Sequence, residues 1–117
     1  MANGRNSATV VVSSGNVFAD IGLSDAGERQ TRVRLAVAIN KILTARGLSQ
    51  SAAADLLDIN QPKISALANY RLDGFSVERL MHFLNALDRD IEIAIRRKPR
   101  TRKSARIVVT EGLRSAL

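Results

Sequence analysis

The chain has 117 residues, enough for one domain around a single modest core but not for two. Apolar residues make up 45% and aromatic residues 3%, so the core must be aliphatic, and no apolar run is long enough to span a membrane. Having no cysteine excludes disulfides and thiolate metal sites, while a formal net charge of +7 suits a polyanionic partner.

Residues 1–19 read as a flexible N-terminal arm, small and polar apart from Val10-Val11-Val12 and without the apolar stretch of a signal peptide. A soluble, cytoplasmic protein is expected. The more apolar run Asn16-Val17-Phe18-Ala19-Asp20-Ile21-Gly22-Leu23 should lie against the domain that spans residues 20–90.

Asp25-x-x-Glu28 has the form of a capping box and opens a long helix that Gly47 ends. At 100° per residue, Leu35, Ala36, Ala38, Ile39, Ile42 and Leu43 form one apolar stripe, with Val33 and Val37 on the opposite side. That second spot is covered either by residues 17–23 or by a partner. Ser49 should cap a helix from Gln50 to Leu57, in which Ala52-Ala53-Ala54 permits a close helix crossing. Asp58-Ile59-Asn60 makes a turn, and a third helix begins near Gln61, with Pro62 suited to its first turn.

Ser76 caps a fourth helix, where Val77, Leu80, Met81, Leu84 and Leu87 repeat at helical spacing until Asp88-Arg89-Asp90 breaks it. Residues 91–97 follow as a strand, Ile91, Ile93 and Ile95 sharing one side. A lone strand is unstable, so these isoleucines are candidate dimer contacts. Residues 106–110 or Val10-Val11-Val12 are the other available partners. Residues 98–117 form a basic tail. Residues 96–106 (RRKPRTRKSAR) hold seven Lys/Arg and no acid, whereas residues 20–95 hold nine Lys/Arg against ten Asp/Glu. The tail is either a phosphate-attracting segment or a solubilising end.

Two short helices joined by a tight turn, with alanines at their crossing, describe a helix-turn-helix. On its second helix Ile64, Leu67 and Ala68 should pack inward. Pro62, Lys63, Ser65, Ala66, Asn69 and Tyr70 then point away, with Gln61 at the exposed end. That outer face offers amide and hydroxyl groups for base edges and a methyl group for thymine. Gln50 would sit at a helix N-terminus beside a phosphate. The expected DNA-binding set is Gln50, Ser51, Asn60, Gln61, Pro62, Lys63, Ser65, Ala66, Asn69, Tyr70 and Arg71. A helical hairpin that docks on a protein would show the same periodicity.

Gln50-x-x-x-Ala54, Leu57, Gln61, Ile64-Ser65 and Leu67 resemble the lambda-repressor-like (XRE) family at its usual spacing. Gln61-Pro62-Lys63-Ile64-Ser65, Leu72-Asp73-Gly74-Phe75-Ser76 and Leu87-Asp88-Arg89-Asp90-Ile91-Glu92-Ile93 resemble a narrower branch, the HigA-type antitoxins, as does the run from Ser14 to Leu23. The resemblance implies an all-α bundle of four to five helices with a short C-terminal strand. It further implies a homodimer on a palindromic double-stranded operator, autorepression of a toxin–antitoxin operon, and a bacterial, nucleoid-associated location. Gln50 and Asn69 would contact the DNA backbone, and Gln61, Lys63, Ser65 and Ala66 would face the groove. A RelE/HigB-like toxin would be the protein partner, met through Val17, Phe18, Ile21 and Leu23. A solitary regulator, or an interaction module that masks a protein, is the alternative. Asp58 replaces the family's turn glycine, and Asn69-Tyr70 its basic residue and glycine after the recognition helix.

No enzyme is expected. The sole histidine, His82, falls on a polar helix face without a second ligand at metal-binding spacing, and a turn explains Asp88 and Asp90. No metal or cofactor is implied.

Overall fold

The computed structural model describes residues 25–112, with side chains from residue 27 onward. Among these residues the chain forms four helices: α1 (Asp25–Arg46), α2 (Gln50–Leu57), α3 (Gln61–Ala68) and α4 (Val77–Ala86). Their ends follow from local chemistry. Ser49, Asn60 and Ser76 each accept a bond from the backbone N–H three residues on, at 3.0, 2.9 and 3.0 Å. Each thereby satisfies a donor that the first helical turn leaves orphaned.

The C-termini share one device. Gly47, Asp58, Tyr70 and Asp88 lie just past the four helices with φ of 66°, 58°, 58° and 65°. The next N–H then reaches back five residues: Leu48 to Leu43, Ile59 to Ala54, Arg71 to Ala66 and Arg89 to Leu84. Only the first of these left-handed positions is a glycine, so the other three carry backbone strain. The described residues make no bond of the expected capping box. The Asp25 side chain lies outside the described residues, and Glu28 pairs with Arg32 one turn on, at 3.2 Å.

The core is aliphatic, as composition requires, with Phe75 and Phe83 its buried aromatics. The α1 stripe is buried through Leu35, Ala36, Ala38 and Ile39, with Ile42 and Leu43 at its margin. It packs mainly against α4, through Leu80, Phe83 and Leu84. Ala53 and Ala54 let α2 come close to α3, where Ile64 and Leu67 face inward. Each fully buried leucine contributes about 1.5–3 kcal/mol relative to exposure. Arg46 joins the ends of α1 and α4 by donating to the Leu87 carbonyl at 3.1 Å and meeting Asp88 at 3.5 Å.

Two details depart from expectation. Ala68 is exposed rather than inward, and Ala66 is half-buried against the core rather than outward. The loop after α3 causes this rotation, because Leu72 and Phe75 are buried and draw that side of the helix inward. Among the described residues, 91–98 form neither helix nor β-ladder, so the strand expected over residues 91–97 is not formed in the single chain, where no second strand is at hand to pair with it. Ile91 packs on the core.

The chain then turns at residues 99–104, where the Arg102 N–H bonds the Pro99 carbonyl at 3.2 Å. The Lys98 ammonium braces the turn by donating to the carbonyls of Pro99 and Arg102. Beyond it, Val109 packs against the core, and Glu111 meets Lys41 of α1 at 3.3 Å. Val109 and Glu111 line a cleft with Arg34 and Val37, so Val37 faces the returning C-terminal segment. Val33 stays exposed, and residues 17–23, expected to cover this side, lie outside the described residues.

Candidate nucleic-acid interface

The inward face of α3 fixes what its other face can do. With Ile64 and Leu67 buried, Gln61, Pro62, Ala68 and Asn69 are exposed, and Ser65 is half-exposed. Gln61, Ser65 and Ala68 lie about one turn apart and make one stripe of amide, hydroxyl and methyl groups. The stripe carries no charge. Lys63 and Arg71 flank it.

Several expected contacts already hold structural bonds. Asn60 Oδ1 accepts from the Lys63 N–H, so its carbonyl end is the helix cap. Asn69 Nδ2 donates to the Ser65 carbonyl at 2.8 Å. Lys63 Nζ is drawn off the helix: it donates to the Gly74 carbonyl at 3.4 Å and stands 5.0 Å from the Phe75 ring centroid. A Cβ on Gly74 would come within 2.9 Å of that ammonium, so the loop approaches closely because residue 74 has none. Arg79 stacks near both Phe75 and Phe83, whose rings meet edge-on at 5.9 Å.

The expected residues therefore fall into groups. Asn60, Pro62, Lys63, Ala66 and Arg71 surround a shallow depression closed by Gly74 and Phe75. Gln61 and Ser65 lie on the outer stripe. Gln50 and Ser51 are exposed at the start of α2. Tyr70 is 43% exposed at its left-handed position beside Arg71. Sequence reasoning missed Ala68 in the stripe, Gly74 and Phe75 as the seat of Lys63, and Asn40. The Asn40 amide donates to the Leu67 carbonyl at 3.1 Å and holds the last turn of α3. A polar residue within an apolar α1 stripe is the one signal that points to it.

The helix-turn-helix domain family matches residues 17–96. A solved structure described as an XRE family transcriptional regulator is 62% identical, with a TM-score of 0.73 over 76% of this chain and 100% of its own. The chain belongs to the XRE family of helix-turn-helix regulators. No curated protein matches it. The adjoining helices α2 and α3, joined by the turn at Asp58, lie within the matched residues. In this XRE domain Asp58 and Tyr70 hold left-handed backbone at two helix ends without being glycine. Among its described residues no helix is long and apolar enough to cross a membrane, and no three His, Cys, Asp or Glu side chains cluster as metal ligands. His82 is exposed.

Proposed function

We propose that this XRE-family protein is a sequence-specific transcriptional repressor and the HigA-type antitoxin of a toxin–antitoxin operon, binding its own palindromic operator as a homodimer. The exposed, uncharged stripe of Gln61 and Ser65 on α3, flanked by Lys63 and Arg71, carries this reading. Neutral hydrogen-bonding groups distinguish base edges, whereas flanking cations and helix N-termini hold phosphates and set the register. Gln50 and Ser51 at the start of α2, with Asn69 and Tyr70 after α3, serve as the backbone contacts. Asn60 acts mainly through the cap that orients α3, and Pro62 and Ala66 shape its surface. The two copies read half-sites about one helical turn, ~34 Å, apart. Ile91, Ile93 and Ile95 form the dimer contact, and the cations of residues 96–106 add salt-dependent attraction.

The antitoxin role rests on the resemblance of residues 14–23, 72–76 and 87–93 to that branch. In this role Val17, Phe18, Ile21 and Leu23 meet a RelE/HigB-like toxin, and the protein works in the bacterial cytoplasm on the nucleoid. Two experiments test these claims separately. A footprint on DNA upstream of the gene should show protected, symmetric half-sites. Co-expression with the adjacent reading frame should yield a complex that is lost when residues 1–23 are removed. Protection without a complex would leave a solitary regulator.

A further inference from the structure

Residues 96–106 carry seven Lys/Arg and no acid, and among the described residues none of the seven is in an ion pair. Like charges this close repel, so such a run stays dispersed unless other bonds gather it. Here they do, and the seven divide into two kinds. Lys98 and Arg102 are half-buried and donate to the chain itself. Lys98 Nζ reaches the Pro99 carbonyl at 3.2 Å and the Arg102 carbonyl at 2.6 Å, and the Arg102 guanidinium reaches the Ser104 carbonyl at 3.2 Å. With the Arg102 N–H on the Pro99 carbonyl, these bonds close the turn at residues 99–104. Arg96, Arg97, Arg100, Lys103 and Arg106 are exposed.

The turn is tied down on both sides. Ile91 packs on the core before it, and Val109 does so after it, with Glu111 meeting Lys41 of α1 at 3.3 Å. The side chains of that ion pair are 64% and 49% exposed, so salt screens it and the apolar contact of Val109 is the main anchor. Lys41 adjoins Asn40 in α1, and the Asn40 amide holds the Leu67 carbonyl in α3. Consecutive residues of one helix thus tie down both the returning segment and the last turn of α3.

We propose that residues 98–111 form a strap that holds a preformed phosphate-binding turn at a set position relative to α3. Lys98 and Arg102 build the turn, Val109 and Glu111 anchor it, and Arg100 and Lys103 meet the DNA backbone. This rests on the DNA-binding reading above and deepens it. A dispersed cationic tail also attracts phosphates, but it loses chain entropy on binding. A strap ordered in the free protein has lost that entropy already.

Val109→Ser in the full-length protein tests this, because it removes the anchor without changing the charge. Val109 lies at the margin of the core, and circular dichroism checks that the helices persist. Trypsin should cut Val109→Ser after Arg100 and Lys103 faster than it cuts the wild type. Affinity for both the operator and a scrambled duplex should fall about three- to tenfold, with the salt slope kept because the same cations are present. Val109→Ile, which keeps the contact, should match the wild type in both assays. Equal cleavage of the wild type and Val109→Ser would overturn the strap. Faster cleavage with unchanged affinity would overturn its role on DNA. Absence of operator preference in the wild type would fail the repressor reading alone, since the scrambled duplex still reports the strap.

Discussion

The Asn40 side-chain amide donates to the Leu67 carbonyl at 3.1 Å, tying α1 to the last turn of α3. The Tyr70 N–H reaches the same carbonyl at 3.1 Å, so the Asn40 amide fills its second acceptor site at a half-buried place. Asn40→Ala should cost about 1–2 kcal/mol of folding stability in urea titration. It should also lower operator affinity, because the outer stripe of α3 loses its fixed orientation. Unchanged stability would show that the bond contributes nothing.

Asp58 and Tyr70 occupy left-handed backbone that glycine adopts at no steric cost. Asp58→Gly should raise the unfolding free energy by up to about 1 kcal/mol, the gain in local strain exceeding the added chain entropy. Asp58→Ala should give no such gain. Thermal unfolding of the two variants decides it.

Lys63 holds its charge over Phe75 and against the Gly74 carbonyl, at the rim of the proposed interface. Lys63→Met keeps the stem on the ring and removes the charge. Operator affinity should fall by about 1–3 kcal/mol, with folding stability changed by less than about 1 kcal/mol. If stability falls and affinity does not, Lys63 serves the loop alone.

Arg100 and Lys103 are exposed in the turn at residues 99–104. Changing both to Gln should make the slope of log affinity against log salt shallower by about 2, with operator preference kept. A deletion from residue 97 would confuse this test, since it also removes Val109 and the Glu111–Lys41 pair.

Much of this architecture is legible in the residues themselves, because its signals are local. Ser49, Ser76 and Gly47 mark helix ends through bonds made within a few residues, and the α1 stripe follows from periodicity. The inward set of α3 is legible at Ile64 and Leu67 and fails at Ala66 and Ala68. Periodicity fixes which residues share a face but not the rotation, which the burial of Leu72 and Phe75 sets from outside the helix. The seat of Lys63 and the Asn40–Leu67 bond depend on partners 11 and 27 residues away, and no spacing rule encodes them. The return of Val109 and Glu111 to α1 is hidden for the same reason, beneath a run of charges that reads as a tail.

The most direct measurement of recognition by α3 is the affinity of Gln61→Ala and Ser65→Ala for the operator and for a scrambled duplex of equal length. Both side chains lie outside the core, so folding stays intact. Operator affinity should drop by about 1–3 kcal/mol for Gln61→Ala, and binding to scrambled DNA should hold, since phosphates dominate it. Undiminished preference for the operator in both variants would contradict base reading by this helix.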